Sequence, residues 1–267
     1  MGDCMIEFFS ELSPVIQALL ASLFTWGFTA FGAAIVFFFR KVNKNVLDAM
    51  LGLAAGVMIA SSFFSLLSPA LEMANNLGMI PWLVVFAGFF LGGLLLYISD
   101  KIYAFVSKNK KEKSMKRSLM LVSSITLHNI PEGLAIGVAF GAVSFGLEGA
   151  SLISAIVLAL GIGLQNFPEG MAVSIPLRRE GMSRKKAFFF GQLSGIVEPI
   201  SGVVGALLVL KIRFLLPFLL AFAAGAMIYV VIEELIPESQ TNKKKDLMAL
   251  FTILGFSIMM ILDVMLG

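Results

Sequence analysis

Apolar residues in this chain come in long unbroken runs rather than in the short alternations of a soluble fold. Eight such runs lie at about 12–39, 49–71, 81–105, 118–143, 150–177, 185–210, 213–235 and 246–265, and each holds few or no charges. A helix rises about 1.5 Å per residue and the hydrocarbon core of a bilayer is about 30 Å thick, so a run of about 20 apolar residues can cross it. The pattern predicts an all-α integral membrane protein with eight transmembrane helices, forming a single transmembrane domain over residues 1–267. The segments between the runs are too short to hold a separate soluble domain.

Composition points the same way. Of 267 residues, 58% are apolar and 14% charged, and mean hydropathy is +0.94; a soluble domain carries about 25% charged residues. The basic residues are not scattered. Eighteen of the 20 fall in alternate loops: Arg40, Lys41 and Lys44 in the first, seven from Lys101 to Arg117 in the third, five from Arg178 to Lys186 in the fifth, and Lys243 to Lys245 in the seventh. Only Lys211 and Arg213 fall in an even loop. Such alternation fits eight spans with odd loops in the cytoplasm and both termini outside. It makes the lipid bilayer the expected surroundings. It also accounts for the basic charge without nucleic acid, for which no basic face with interleaved aromatics is present. The Lys-rich stretch 107–117 is read as a solvated linker. Cys4 stands alone, so no intramolecular disulfide is expected. The first residues carry Asp3, Glu7 and Glu11 and no basic residue, which argues against a signal peptide. Gly52 with Gly56, and Gly88 with Gly92, have the four-residue spacing that lets helices approach closely in lipid.

The chemistry sits in runs four to six, each of which contains a carboxylate near mid-depth. Ionisable groups are costly there, about 2.5–3.5 kcal/mol for a central Asp, Lys or Arg on translocon scales, and they usually face a polar interior. Run four reads His128-Asn129-Ile130-Pro131-Glu132-Gly133, and run five reads Gln165-Asn166-Phe167-Pro168-Glu169-Gly170. They are one motif written twice. On a helix, positions four apart share a face, which pairs His128 with Glu132 and Gln165 with Glu169, flanked by Asn129 and Asn166. Pro131 and Pro168 each remove a backbone hydrogen bond, to the carbonyls of Leu127 and Leu164. Run six repeats the idea with Glu198-Pro199, and the carbonyl of Gly195 is expected to be freed. Together the three runs offer one imidazole, three carboxylates and three amides. Imidazole with carboxylate suits Zn²⁺, Fe²⁺, Mn²⁺ and similar ions.

With these residues in view, the chain resembles the Zrt/Irt-like protein (ZIP) family of metal transporters, most closely its prokaryotic GufA-like branch. The resemblance rests on the doubled N-x-P-E-G segments followed by Glu198-Pro199-Ile200-Ser201-Gly202, and it extends over the whole chain. It implies an inward carrier of Zn²⁺, with Cd²⁺, Fe²⁺ and Mn²⁺ as further candidates, and no cofactor. It implies a 3+2+3 helix arrangement with an inverted repeat, an elevator-like movement of one helix bundle against the other, and a binuclear site between spans four and five. Carried over by motif, the first metal position uses His128, Glu132, Gln165 and Glu169. The second uses Asn129, Glu132, Asn166, Glu169 and Glu198. Glu132 and Glu169 bridge them, and Met58 supplies a thioether. A homodimer and a bacterial inner-membrane location are compatible with the resemblance. Many members carry histidine in place of Gln165 and some an acid in place of Asn166, so this cluster is less negative than theirs. The long histidine-rich loop common before span four is absent.

Other function classes fare worse. An intramembrane metalloprotease needs the two histidines of H-E-x-x-H, and the chain has one. No P-loop motif for ATP is present. A proton- or sodium-coupled carrier of an organic solute, with the glutamates as relays, is the alternative. Glu233, Glu234 and Glu238 close run seven and read either as an exit site for metal or as a solvated helix end.

Overall fold

The computed structural model describes residues 9–38, 44–106, 110–146 and 150–266. Among them there is no strand. Eight helical segments follow one another: α1 (Pro14–Phe37), α2 (Lys44–Asn76), α3 (Pro81–Val106), α4 (Lys110–Ser144), α5 (Leu152–Arg179), α6 (Arg184–Leu207), α7 (Val209–Ser239) and α8 (Lys245–Leu266). Seven of them are long and apolar enough to cross a membrane. The remaining one, α4, carries the polar stretch His128–Glu132.

Three helices depart from the apolar runs. α2 starts at Lys44, five residues before its run. α4 starts at Lys110, so the Lys-rich stretch is helical over 110–117, and its first residues, 107–109, lie outside the described residues. Lys, Glu, Met and Arg are all strong helix formers, and no Gly or Pro interrupts 110–117. α6 is broken: Arg184–Leu193 and Val197–Leu207 are joined by a turn at Ser194–Ile196. The break also corrects the expectation for Gly195. Its carbonyl is not free; it accepts from the Glu198 N–H at 3.0 Å, a three-residue turn that replaces the bond Pro199 cannot make.

Packing divides the helices into two groups of four. α1, α4, α5 and α6 form one bundle, chiefly through α1 on α5 and α4 on α6. α2, α3, α7 and α8 form the other, chiefly through α3 on α7 and α2 on α8. Exchanging α1 with α6, α2 with α7, α3 with α8 and α4 with α5 maps this set of contacts onto itself. α2 and α7 are the most enclosed of the apolar spans and α3 and α8 the least. α2 and α7 also share a sequence: Ala54-Ala55-Gly56-Val57-Met58 in one, Ala223-Ala224-Gly225-Ala226-Met227 in the other. Each then passes through a π-helical turn, Ser62–Leu67 or Val231–Leu235, with a proline just beyond it, Pro69 or Pro237. Small residues make the pairings close. A β-carbon at Gly92 would overlap the Phe222 carbonyl, and one at Gly225 would overlap that of Phe89. On the other pair, Gly56 faces the Thr252 carbonyl and Gly255 that of Leu53.

The two bundles meet unevenly. α4 packs along α7, whereas α5 touches α2 over a shorter length. Between α1 and α5 on one side and α2 and α8 on the other lies an apolar cavity of about 390 Å³, lined by Phe28, Leu53, Val57, Phe167 and Met259 among others. At one end of α5, Arg179 bridges the bundles. It is ion-paired to Glu238 of α7 and stands 3.6 Å from Asp48 of α2. Asp48 is fully buried; Asn242 donates to its carboxylate at 2.8 Å, and the Ser239 hydroxyl donates to its carbonyl at 2.8 Å.

Candidate metal site

The repeated motif sets the site. Asn129-x-Pro131-Glu132-Gly133 on α4 and Asn166-x-Pro168-Glu169-Gly170 on α5 each end in a glycine at a helix contact. A β-carbon at Gly133 would overlap the Glu198 carbonyl of α6, and one at Gly170 would overlap the Thr29 carbonyl of α1. The glycine of each motif thus lets a neighbouring helix lie against the backbone beside the glutamate. Glu132 is brought to α6, Glu169 to α1, and the two glutamates to each other across α4 and α5.

His128, Glu132 and Glu169 each offer one ligand atom within 4.8 Å of the others. His128 Nε2 lies 3.3 Å from Glu132 Oε1, on its own helix, and 3.2 Å from Glu169 Oε1 on α5. The Gln165 amide nitrogen donates to Glu132 Oε1. Beside this group, Asn166 Nδ2 donates to Glu198 Oε2 at 2.8 Å and to the Thr25 carbonyl at 3.2 Å, and the Thr25 hydroxyl donates to the same Glu198 oxygen. Asn129 Nδ2 caps the break in α6 by donating to the Ser194 carbonyl at 3.0 Å. Glu198 lies in the first turn of the second half of α6, where the helix dipole favours a negative charge. Six of the expected ligands are 0% exposed and His128 is 1% exposed, so bulk water does not solvate them.

What these groups lack is a positive partner. Among the described residues, the carboxylates are met by a histidine, amides and a threonine hydroxyl, none of them a fixed cation. Burying an ion without compensation costs several kcal/mol. Most of the site atoms left without a hydrogen-bond partner are oxygens of carboxylates and amides: Glu132 Oε2, Glu169 Oε2, Glu198 Oε1 and the side-chain oxygens of Asn129, Gln165 and Asn166; His128 Nδ1 and the Thr29 hydroxyl complete the set. The carboxylate and amide oxygens can only accept, unless a carboxyl is protonated. Buried polar atoms are almost always satisfied, and a cation satisfies several acceptors at once. Donors of imidazole, carboxylate and amide type fit a divalent transition metal.

The structure thus brings together the residues expected on α4, α5 and α6. Met58 is buried on α2, in the other bundle, where its carbonyl accepts from Ser62; the Ser62 hydroxyl also reaches Met227 Sδ at 3.1 Å. Glu238 is committed to Arg179. Sequence reasoning missed the share of α1. Thr25 reaches Glu198, and the Thr29 hydroxyl stands with Glu198 Oε1 beside Gly195, where a β-carbon would touch both. The signal was there: Ser22, Thr25 and Thr29 repeat at helical spacing on one buried face of an otherwise apolar helix.

A family model described as ZIP Zinc transporter matches residues 107–263, which include every candidate ligand on α4, α5 and α6. "Zinc transporter ZIP11" of Bos taurus is 41% identical to this chain, the match covering 96% of this chain and 98% of that protein. "Zinc transporter GufA" of Myxococcus xanthus is 36% identical over 93% of this chain and 98% of its own length. "Zinc transporter ZIPB" of Bordetella bronchiseptica is 35% identical over 94% and 81% respectively. With its apolar helices, its doubled motif and these likenesses along nearly its whole length, the chain belongs to the ZIP family of zinc transporters.

Proposed function

We propose that this protein carries divalent transition-metal ions, zinc foremost, across a membrane into the cytoplasm by alternating access through the site on α4, α5 and α6. One observation carries the reading: a fully buried set chiefly of acceptor atoms on three helices, with no Lys or Arg among the described residues to meet them. Cd²⁺, Fe²⁺ and Mn²⁺ share the preference for imidazole and carboxylate and are further candidate cargoes. His128, Glu132, Gln165 and Glu169 form the first ion position. Asn129, Asn166 and Glu198, with the shared glutamates, form the second. The thioether of Met58 is a further ligand, a role that rests on the family resemblance.

The helix pairings support an inverted repeat of α1–α3 and α6–α8 around α4 and α5, the 3+2+3 arrangement, and eight spans. Inverted repeats with a midplane site underlie alternating access in many carriers. The alternation of basic loops supports a multi-pass protein with both termini outside, and the resemblance to the prokaryotic branch supports the inner membrane of a bacterium. The alternative, an organic solute, is less well matched, because most of the partnerless atoms are acceptors.

The test is zinc flux into proteoliposomes loaded with a zinc-responsive dye. Native protein is expected to admit zinc, and Glu169→Ala to abolish the flux. Persistent flux in the variant would remove Glu169 from the path, and no flux of any divalent ion through native protein would overturn the reading.

A further inference from the structure

We propose that Thr25, on α1, is a positioning residue for the second ion position. This rests on the reading of α4–α6 as the ion site, but it is carried by different atoms. Thr25 is fully buried and touches two of the expected ligands with two different groups. Its hydroxyl donates to Glu198 Oε2, and its carbonyl accepts from Asn166 Nδ2 at 3.2 Å. Asn166 Nδ2 also donates to Glu198 Oε2 at 2.8 Å. The three residues close a small triangle across α1, α5 and α6.

The triangle decides which atoms stay free. Both hydrogens of the Asn166 amide are used, one on Thr25 and one on Glu198, so its oxygen is turned away without a partner. Glu198 Oε2 receives two hydrogen bonds, so Oε1, with the Thr29 hydroxyl close by, is the oxygen left toward the ion. Thr25 therefore presents one oxygen from each residue to the ion and makes Glu198 a one-oxygen ligand. The Thr25 hydroxyl has a second acceptor within reach, the Ser22 carbonyl at 3.0 Å, the usual back-bond of a helical threonine. It has only one proton. A carboxylate accepts about twice as strongly as a neutral carbonyl, so the bond to Glu198 prevails and the hydroxyl serves the site rather than its own helix. The consequence is that α1, which supplies no ligand, belongs to the ion-binding unit along with α4, α5 and α6.

The decisive measurement is an equilibrium zinc titration of the purified protein in detergent, with flux recorded in parallel. Outer partners of metal ligands are worth about 10–100-fold in affinity, and Thr25→Val, which keeps the shape and removes the hydroxyl, is expected to weaken zinc binding on that scale. Thr25→Ser is expected to recover most of the loss. In a Glu198→Gln background, Thr25→Val is expected to add little, because the bond it removes has already been weakened; two residues acting through one contact are not additive. The proposal is overturned if Thr25→Val binds zinc like the native protein, if Thr25→Ser is as weak as Thr25→Val, or if the two losses add in full. The two readings can fail separately. Native protein that binds zinc in a Thr25-dependent way but passes none loses the transport function and keeps the positioning role. Native protein that binds no zinc loses both.

Discussion

His128 is the only imidazole in the chain, and it bridges the two glutamates from one helix to the other. An imidazole nitrogen is a softer donor than the oxygens around it, so it favours transition metals over hard cations. Replacing it removes the site's only nitrogen donor. His128→Ala is expected to lower affinity for Zn²⁺ by about tenfold or more, the scale on which even indirect partners act, and to lower Mn²⁺ affinity less. Competition titrations of the two ions against the native protein and the variant would show it; an unchanged Zn²⁺ to Mn²⁺ ratio would mean that the histidine does not touch the ion. Glycines beside the glutamates make a second case. At Gly170 any side chain would run into the Thr29 carbonyl, whereas Gly27, also on α1, has open space around it. Gly170→Val must therefore push α1 off α5, at a cost beyond the about 1–3 kcal/mol of ordinary overpacking, and it is expected to lower both melting temperature and zinc affinity. Gly27→Ala is expected to change neither.

At the scale of the helices, Arg179 is the test of how the bundles hold together. Asp48 is wholly buried, and Asn242 alone cannot neutralise it. Removing one partner of a buried ion pair costs about 3–5 kcal/mol because the other charge is stranded. Arg179 is 30% exposed, so the lower end of that range applies to Arg179→Ala. Thermal unfolding in detergent should show the loss, and adding Asp48→Asn should return part of it. Helices of this kind were legible in the sequence because lipid allows long apolar runs little else, and the doubled motif announced the cluster because its polar residues share a face. The break at Ser194–Ile196 was not legible. Nothing in the run 185–210 stops a helix before Pro199, and the turn is held by partners far away in sequence, Asn129 on the Ser194 carbonyl and Trp26 on that of Gln192 at 2.8 Å. The helix over Lys110–Arg117 was hidden for the opposite reason. Charge marks a segment as outside the hydrocarbon, but it does not stop a chain of good helix formers from continuing its turns.

Taken whole, the molecule is nearly its own image under the exchange of α1 with α6, α2 with α7, α3 with α8 and α4 with α5. The glycine contacts, the shared Ala-Ala-Gly segments and the paired π-helical turns all obey that exchange. The apolar cavity does not. It lies where α5 meets α2, while on the matching seam α4 packs along α7 over a greater length. Contacts that map onto one another in this way give, in themselves, no preference for one seam over the other. The empty space thus acts as a pointer that can be set two ways. Under the alternating access proposed above, the second setting would have α5 close on α2 while α4 parts from α7. The proposed site would then face the other side of the membrane by a rocking of whole helices.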